Sequence, residues 1–228
     1  VGPDGALYLA DWAQSIIGHM QHHLRDPVRD HSHGRIFRMT YEGKTVKAPV
    51  IFGQPIEALL ALLKSPADNT RERAKIELGD RDTAKVMGAV DKWVTALDPK
   101  DAEYQHHLTE ALWVKQWHNV VDIPLIKNQL RSPDPRARTA ATRVLCYQRD
   151  RVPETLALLK VQAADENARV RLEAVRACSF FQNWEAADVA LTALKQPTEY
   201  YLDYVLKSTL RQLERWWKPA ITEGKPLA

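Results

Sequence analysis

Apolar and polar positions alternate with a period of two near the start of the chain, and beyond residue 53 they recur every three to four. Asp4-Gly5 supplies turn chemistry ahead of a run in which Leu7 and Leu9 face opposite to Tyr8 and Ala10. A second strand-like run covers Arg35 to Thr40. Two lone strands bury too little apolar area to be stable, so this opening predicts neighbouring strands, as at the end of a larger β-structure. Composition changes at Pro49-Val50-Ile51-Phe52-Gly53. From there the period predicts helices at about 54–64, 69–79, 82–96, 101–117, 122–131, 135–148, 153–163, 167–181, 184–194 and 198–216. Asp122 before Ile123-Pro124, Asp134 before Pro135, and Pro153-Glu154 are start signals. The chain thus divides into a β segment with a histidine-rich loop (1–48), a linker (49–53), a helical array (54–217) and a tail (218–228).

The helical part repeats itself. Ala137-Arg138-Thr139-Ala140-Ala141-Thr142-Arg143 aligns with Val170-Arg171-Leu172-Glu173-Ala174-Val175-Arg176 at a spacing of 33 residues. A weaker copy holds Ala74 in the small-residue slot, and Ala111 in Leu108–Trp113 is a further candidate, at spacings of 37 and 30. A helix-pair period in the thirties is the signature of an α-solenoid. The small alanine lets each second helix approach its neighbour, and the Asp and Arg around it predict a ladder of caps and charges. The pattern Asp165-x-x-x-x-Val170-Arg171-x-x-Ala174 resembles a HEAT repeat, with the likeness running over about 54–217. The fold class is therefore mainly α, a HEAT-like α-solenoid preceded by a short β segment. Solenoids serve as scaffolds and docking surfaces more often than as catalysts, which predicts a protein partner on the concave face.

Bulk numbers remove several classes. A net charge of +3 over 228 residues is too small to argue for nucleic acid or a membrane surface. No apolar run is long enough to span a bilayer. Val1 is followed by no basic or apolar leader pattern, so the opening reads as a cut or processed end. The two cysteines, Cys146 and Cys178, lie in helical segments and read as buried thiols acting as small hydrophobes, with a disulfide between neighbouring repeats as the other possibility. Neither has the Cys-x-x-Cys-His context of covalent haem, so this segment carries no haem of its own.

Five of the eight histidines precede residue 49. His19, His22, His23, His31 and His33 stand among Arg25, Asp26, Arg29, Asp30 and Arg35. They could organise a loop, rim an active site or ligate a transition metal. Their spacing fits no standard zinc pattern. Arg35 could grip an anion with both arms of its guanidinium, or pair with Asp11 or Asp30. Trp12 reads as inter-strand packing, and His106-His107 as helix surface plus core. Trp184, Tyr200, Tyr201, Tyr204, Trp216 and Trp217 read as core and end-cap residues. Arg136, Arg138, Arg143, Arg169, Arg171 and Arg176, interleaved with Asp134, Asp165 and Glu173, read as a solvated ladder. No phosphate loop, nucleophile motif or paired-carboxylate signature is present.

Gly2-Pro3-Asp4-Gly5-Ala6-Leu7-Tyr8-Leu9-Ala10-Asp11-Trp12 resembles the blade motif of glucose/sorbosone-dehydrogenase-like β-propellers. Ile17-Gly18-His19-Met20-Gln21-His22, Leu24-Arg25-Asp26-Pro27 and Arg29–Ile36 resemble the end of that propeller in the putative membrane-bound dehydrogenases, or PVC-type haem-binding proteins. In that group HEAT-like helices and a cytochrome c module follow. Glu110–Val114, Arg138–Leu145 and Tyr200–Tyr204 are similar to it as well, so the likeness covers nearly the whole chain. It implies that the β segment comes from the last blade of a propeller and that the parent is an extracytoplasmic, periplasmic or envelope-associated oxidoreductase acting on sugars or polyols. It also implies a PQQ-like quinone and c-type haem in that parent, with the propeller and cytochrome c domain as partners. Asp11, Asp30, His31, His33 and Arg35 would then lie near the propeller's functional face. Only the last blade portion is present, so the segment alone is expected to be inactive.

Overall fold

The computed structural model describes residues 1–2, 4–11, 27, 30, 32–43 and 47–225. Among them the chain is mainly helical, with eleven α-helices and one two-stranded sheet, in two compact units, Val1–Glu77 and Leu78–Ala228. Trp12 and the histidines at 19, 22, 23 and 31 lie outside the described residues.

In the first unit, β1 (Leu7–Asp11) pairs antiparallel with β2 (Arg35–Met39), with Leu7 opposite Met39, Leu9 opposite Phe37 and Asp11 opposite Arg35. Gly5, at φ 74°, takes the left-handed conformation that the turn before β1 requires, and its N–H donates to Gly2 O at 3.0 Å. Period-two alternation puts Leu7, Leu9, Phe37 and Met39 on one face, and Ile36 on the other. All five are 43–75 % exposed. The unit continues with α1 (Ile56–Leu62), which buries Leu59 and Leu60, and with α2 (Asp68–Gly79), which ends in the second unit.

The second unit holds α3 (Thr83–Thr95), α4 (Tyr104–Trp117), α5 (Ile123–Gln129), α6 (Pro135–Tyr147), α7 (Thr155–Ala163), α8 (Ala168–Cys178), α9 (Glu185–Leu191), α10 (Tyr200–Gln212) and α11 (Glu214–Thr222). The second helix of each pair, α4, α6, α8 and α10, packs on the next in that order, and α7 packs on α8 and α9. Side-chain caps start most of these helices. Asp82, Asp122, Asp134, Asn167 and Glu199 accept backbone N–H groups of Lys85, Leu125, Arg136, Arg169 and Leu202 respectively. Glu154 caps α7 differently, in the left-handed conformation at φ 60° and without a side-chain bond.

One arginine per repeat stitches the stack. Arg138 donates to Ser132 O (2.9 Å) in its own turn and to both oxygens of Asp165 (2.7 and 2.9 Å) in the next. Arg171 repeats the geometry 33 residues on, donating to Asp165 O (2.8 Å) and to Pro197 O (2.6 Å). In the first unit Arg71 makes the local half of the contact, reaching Ser65 O at 2.7 Å. Glutamines do the same between layers. Thr109 donates to Gln129 Oε1 (2.9 Å) and Thr142 to Gln162 Oε1 (3.5 Å), again 33 residues apart.

Several expectations change. The charge ladder is solvated only in part: Arg136, Arg143 and Arg169 are exposed, but Arg171 and Glu173 are buried, and Arg138 and Asp165 nearly so, because Arg138, Asp165 and Arg171 bridge turns inside the stack rather than decorate its surface. The helix expected over 198–216 is two, α10 and α11, and the second continues to Thr222. Tyr200, Tyr201 and Tyr204 are exposed rather than core, since Leu202, Leu206 and Thr209 supply the buried face of α10. Ala74, Ala111, Ala141 and Ala174 are all fully buried. The glutamine contacts, however, set the period at 33, which puts Leu108 and not Ala111 in register with Ala141 and Ala174. Cys146 and Cys178 are free and buried.

Removing the stitch should be costly because it leaves a nearly buried carboxylate unpaired. Arg138→Ala is expected to destabilise the chain by about 3 kcal/mol, and Ala174→Leu by about 2 kcal/mol through overpacking. Urea unfolding followed by helical circular dichroism measures both, and unchanged midpoints would deny the stitch and the small slot their structural role.

Candidate functional site

The residues singled out near the start of the chain form closed pairs. Asp11 and Arg35, directly opposite across the two strands, meet at 2.7 Å, and the Arg35 guanidinium also lies 5.7 Å from the Phe37 ring centroid. Asp30 organises its own turn. It accepts the Ser32 N–H (2.9 Å), the Ser32 hydroxyl (2.8 Å) and the His33 N–H (3.1 Å), with His33 Nδ1 2.9 Å from its other oxygen. These bonds, the Ser32 N–H foremost, lower the Asp30 carboxyl to about 2. His31 lies outside the described residues, as do His19, His22 and His23, so the structure brings together Asp11 with Arg35 and Asp30 with His33.

A third network escaped sequence reading. Asp4 accepts Arg38 Nε (2.9 Å) and Nη2 (2.7 Å), the Tyr8 hydroxyl (2.9 Å) and the Ala6 N–H (3.1 Å). The Arg38 guanidinium is the main reason its carboxyl falls to about 2. The turn Asp was the one signal in the sequence, and the register that sets Tyr8 opposite Arg38 supplies the rest. This network locks the turn to β2, which is a structural task.

In the helical unit the richest constellation surrounds Glu173. This carboxylate is 1 % exposed, and its two oxygens accept Arg143 Nη2 and Arg176 Nε (3.0 Å), while Arg169 stands 3.9 Å away. Burial alone would push the Glu173 carboxyl up, but the Arg143 and Arg176 bonds outweigh it, and the group is held below the usual carboxylate range. From this anchor, guanidinium and aromatic groups alternate. Arg176 lies 5.9 Å from the Tyr147 ring centroid and 5.6 Å from that of Phe180, and Arg149 lies 5.2 Å from Phe180 on its own account. Tyr147 and Phe180 are repeat equivalents, 33 residues apart on α6 and just past α8, and are 63 % and 49 % exposed.

A separate cavity of about 320 Å³ opens between α3, α4 and α5, lined among others by Val94, Tyr104, Leu108, Pro124 and Asn128. Lys115, only 7 % exposed, lines it and donates to Asp91 Oδ1 (2.5 Å) and Asp122 Oδ2 (2.6 Å). Burial disfavours this ammonium, yet the two carboxylates reverse the balance and raise its pKa. Asp122 also caps α5, so the lysine ties α4 to the start of the next pair. Among the described residues no group of three or more His, Cys, Asp or Glu is placed to hold a metal ion. No described helix is long and apolar enough to cross a membrane.

A family model of HEAT repeats matches residues 123–211, from α5 into the last turn of α10. This region therefore carries HEAT repeats, and the stitched helix pairs are their structural form here. The match is narrower than the 54–217 over which the resemblance was traced. No curated protein and no solved structure matches the chain.

Because the Lys115 pKa is raised on folding, its contribution is complete below the ordinary lysine range and is lost as pH climbs through the raised value. Lys115→Met should cost about 2 kcal/mol by leaving Asp91 and Asp122 without their cation. It should also flatten the alkaline fall in stability expected of the unsubstituted chain. Urea midpoints measured across alkaline pH would test this, and an equally steep fall in both proteins would refute it.

Proposed function

We propose that the HEAT repeats brace a β-domain and offer it, or an associated domain, a docking surface, within an extracytoplasmic oxidoreductase of the glucose/sorbosone-dehydrogenase-like lineage. The observation that carries this reading is the sheet of the first unit. Leu7, Leu9, Ile36, Phe37 and Met39 stay largely exposed on both faces of a two-stranded ribbon, which leaves apolar area for neighbouring strands to cover. The blade-like sequence around Asp4-Gly5 supplies the kind of neighbour, further strand pairs of a propeller. In that parent Asp11, Asp30, His31, His33 and Arg35 lie towards the propeller's functional face, with a PQQ-like quinone and c-type haem supplied elsewhere in the molecule. The residues of this chain do not fit haem attachment. Both thiols are buried, burial pushes their pKa values up, and neither stands in a Cys-x-x-Cys-His string. Arg35 is already matched by Asp11, so no electron-transfer step is assigned to residues here.

A second reading, a non-catalytic HEAT-repeat scaffold, is favoured by the family match over 123–211 and needs no redox partner. The flanking reading frame separates the two. The dehydrogenase reading expects several upstream Asp-Gly-x-Leu-Tyr-type strand pairs and a downstream Cys-x-x-Cys-His. A frame without either leaves the scaffold alone standing. Metal analysis of the purified chain and of its His31→Ala and His33→Ala variants tests the remaining use of the histidine cluster, and equal metal content in all three would remove it.

A further inference from the structure

The Glu173 constellation does more than hold two helices together. A buried carboxylate pinning Arg143 and Arg176 is enough to join α6 to α8, yet two large rings are left facing water beside the guanidinium groups. Tyr147 and Phe180 recur at the repeat spacing, so the stack presents the same feature at the ends of successive second helices. Arg176 lies within cation–π distance of both rings and Arg149 within that distance of Phe180, so the cluster is fixed in place before any partner arrives. Arg143 gives one of its donors to Glu173 and stays about half exposed, and Arg169 is more exposed still.

We infer that this face, formed by Arg143, Tyr147, Arg149, Arg169, Arg176 and Phe180, is a docking site for an acidic, extended protein segment carrying apolar side chains. The inference rests on the docking role proposed above and names its partner's chemistry. Charge complementarity selects the sign. Four arginines stand against Glu173, which is buried, and Asp150, whose carboxylate is 3.8 Å from Arg149, so the patch keeps a positive excess. The small excess and the two rings select peptide over nucleic acid. Phosphate backbones are gripped by long rows of basic side chains, whereas this patch is short and half aromatic. Spacing selects an extended segment. Neighbouring packed helices lie roughly 8–10 Å apart. That matches about three residues of polyproline-II chain, whose three-residue turn puts every third side chain on one face, so apolar groups at every third position would meet Tyr147 and Phe180 in turn. The carboxylates between them would meet the exposed guanidinium groups bidentately.

The test uses the whole chain and a fluorescein-labelled synthetic peptide rich in Asp and Glu, with phenylalanine at every third position, read by fluorescence anisotropy. Wild type is expected to bind it and to release it as salt is raised. Tyr147→Ala and Arg169→Glu alter exposed side chains and are each expected to weaken binding about tenfold. Arg215→Ala on α11 should leave it unchanged. That pattern supports the assignment. Absence of binding by wild type, equal binding by the two patch variants, or full competition by a single-stranded DNA of equal charge would overturn it. Each of those outcomes leaves the brace reading intact, because the flanking frame decides that separately.

Discussion

The array depends on a bridge that runs from one turn to the next through a single guanidinium. Helix pairs in a stack touch only their neighbours, and apolar packing by itself is indifferent to small sliding movements. A planar fork with five donors is not indifferent. Arg138 must satisfy carbonyls of its own turn and both oxygens of Asp165 at once, and Arg171 must satisfy the Asp165 backbone and the Pro197 carbonyl. The same loop therefore receives one arginine by its side chain and the next by its backbone. Each turn is held from both sides, which fixes the spacing of α6, α8 and α10. The fully buried Ala141 and Ala174 then allow the close approach that this spacing demands.

Polar atoms buried to set geometry need partners, and between layers the interior supplies several of them with uncharged groups. Gln129 and Gln162 each accept from a threonine of the preceding second helix, and Gln162 also donates to Leu130 O. Some buried charges sit in mutually compensating sets, as with Lys115 between Asp91 and Asp122, or Glu173 among arginines, whereas buried Arg171 is matched by backbone carbonyls. Such sets contribute little over apolar packing but are costly to break, so they act as locks on register. Beyond these locks, at the C-terminal ends of α6 and α8, exposed aromatic rings and arginines stand together.

The helical part was legible because its period, caps and alanine slots are local signals. Asp122 and Asp134 cap the helices their positions announced, and the 33-residue spacing of Arg138 and Arg171 is the spacing of their contacts. What escaped were properties set by tertiary partners. An Arg–Asp ladder looks the same in sequence whether water or another turn surrounds it, so Arg171 and Glu173 were expected in solvent. A tyrosine-rich helix start looks like core until Leu202 and Leu206 claim the buried side. The Ala111 slot misled for a related reason, since several helical registers fit an alanine, and only the Thr109–Gln129 contact discriminates between them. At the start of the chain, strand alternation and the Asp4-Gly5 turn were readable, while sequence left Asp11 and Asp30 equally open as partners for Arg35, and strand register selects Asp11. The Asp4–Tyr8–Arg38 network was not, because it joins residues on two strands through a register that alternation alone does not specify.

The two units pose opposite physical problems, and that opposition is what gives the chain a direction for function. The helix stack encloses most of its apolar side chains and bonds its buried charges to neighbouring turns, while Tyr147 and Phe180 are left facing water. The ribbon encloses almost nothing: its apolar residues stay wet on both faces while its turn and its strand ends are carefully bonded. Precise turn and end chemistry on an element that cannot bury its own faces makes sense where the missing cover comes from other strands, since bonds of that kind specify register without supplying burial. On the proposed reading, register without burial is what this strand pair needs of itself, with other strands supplying the cover.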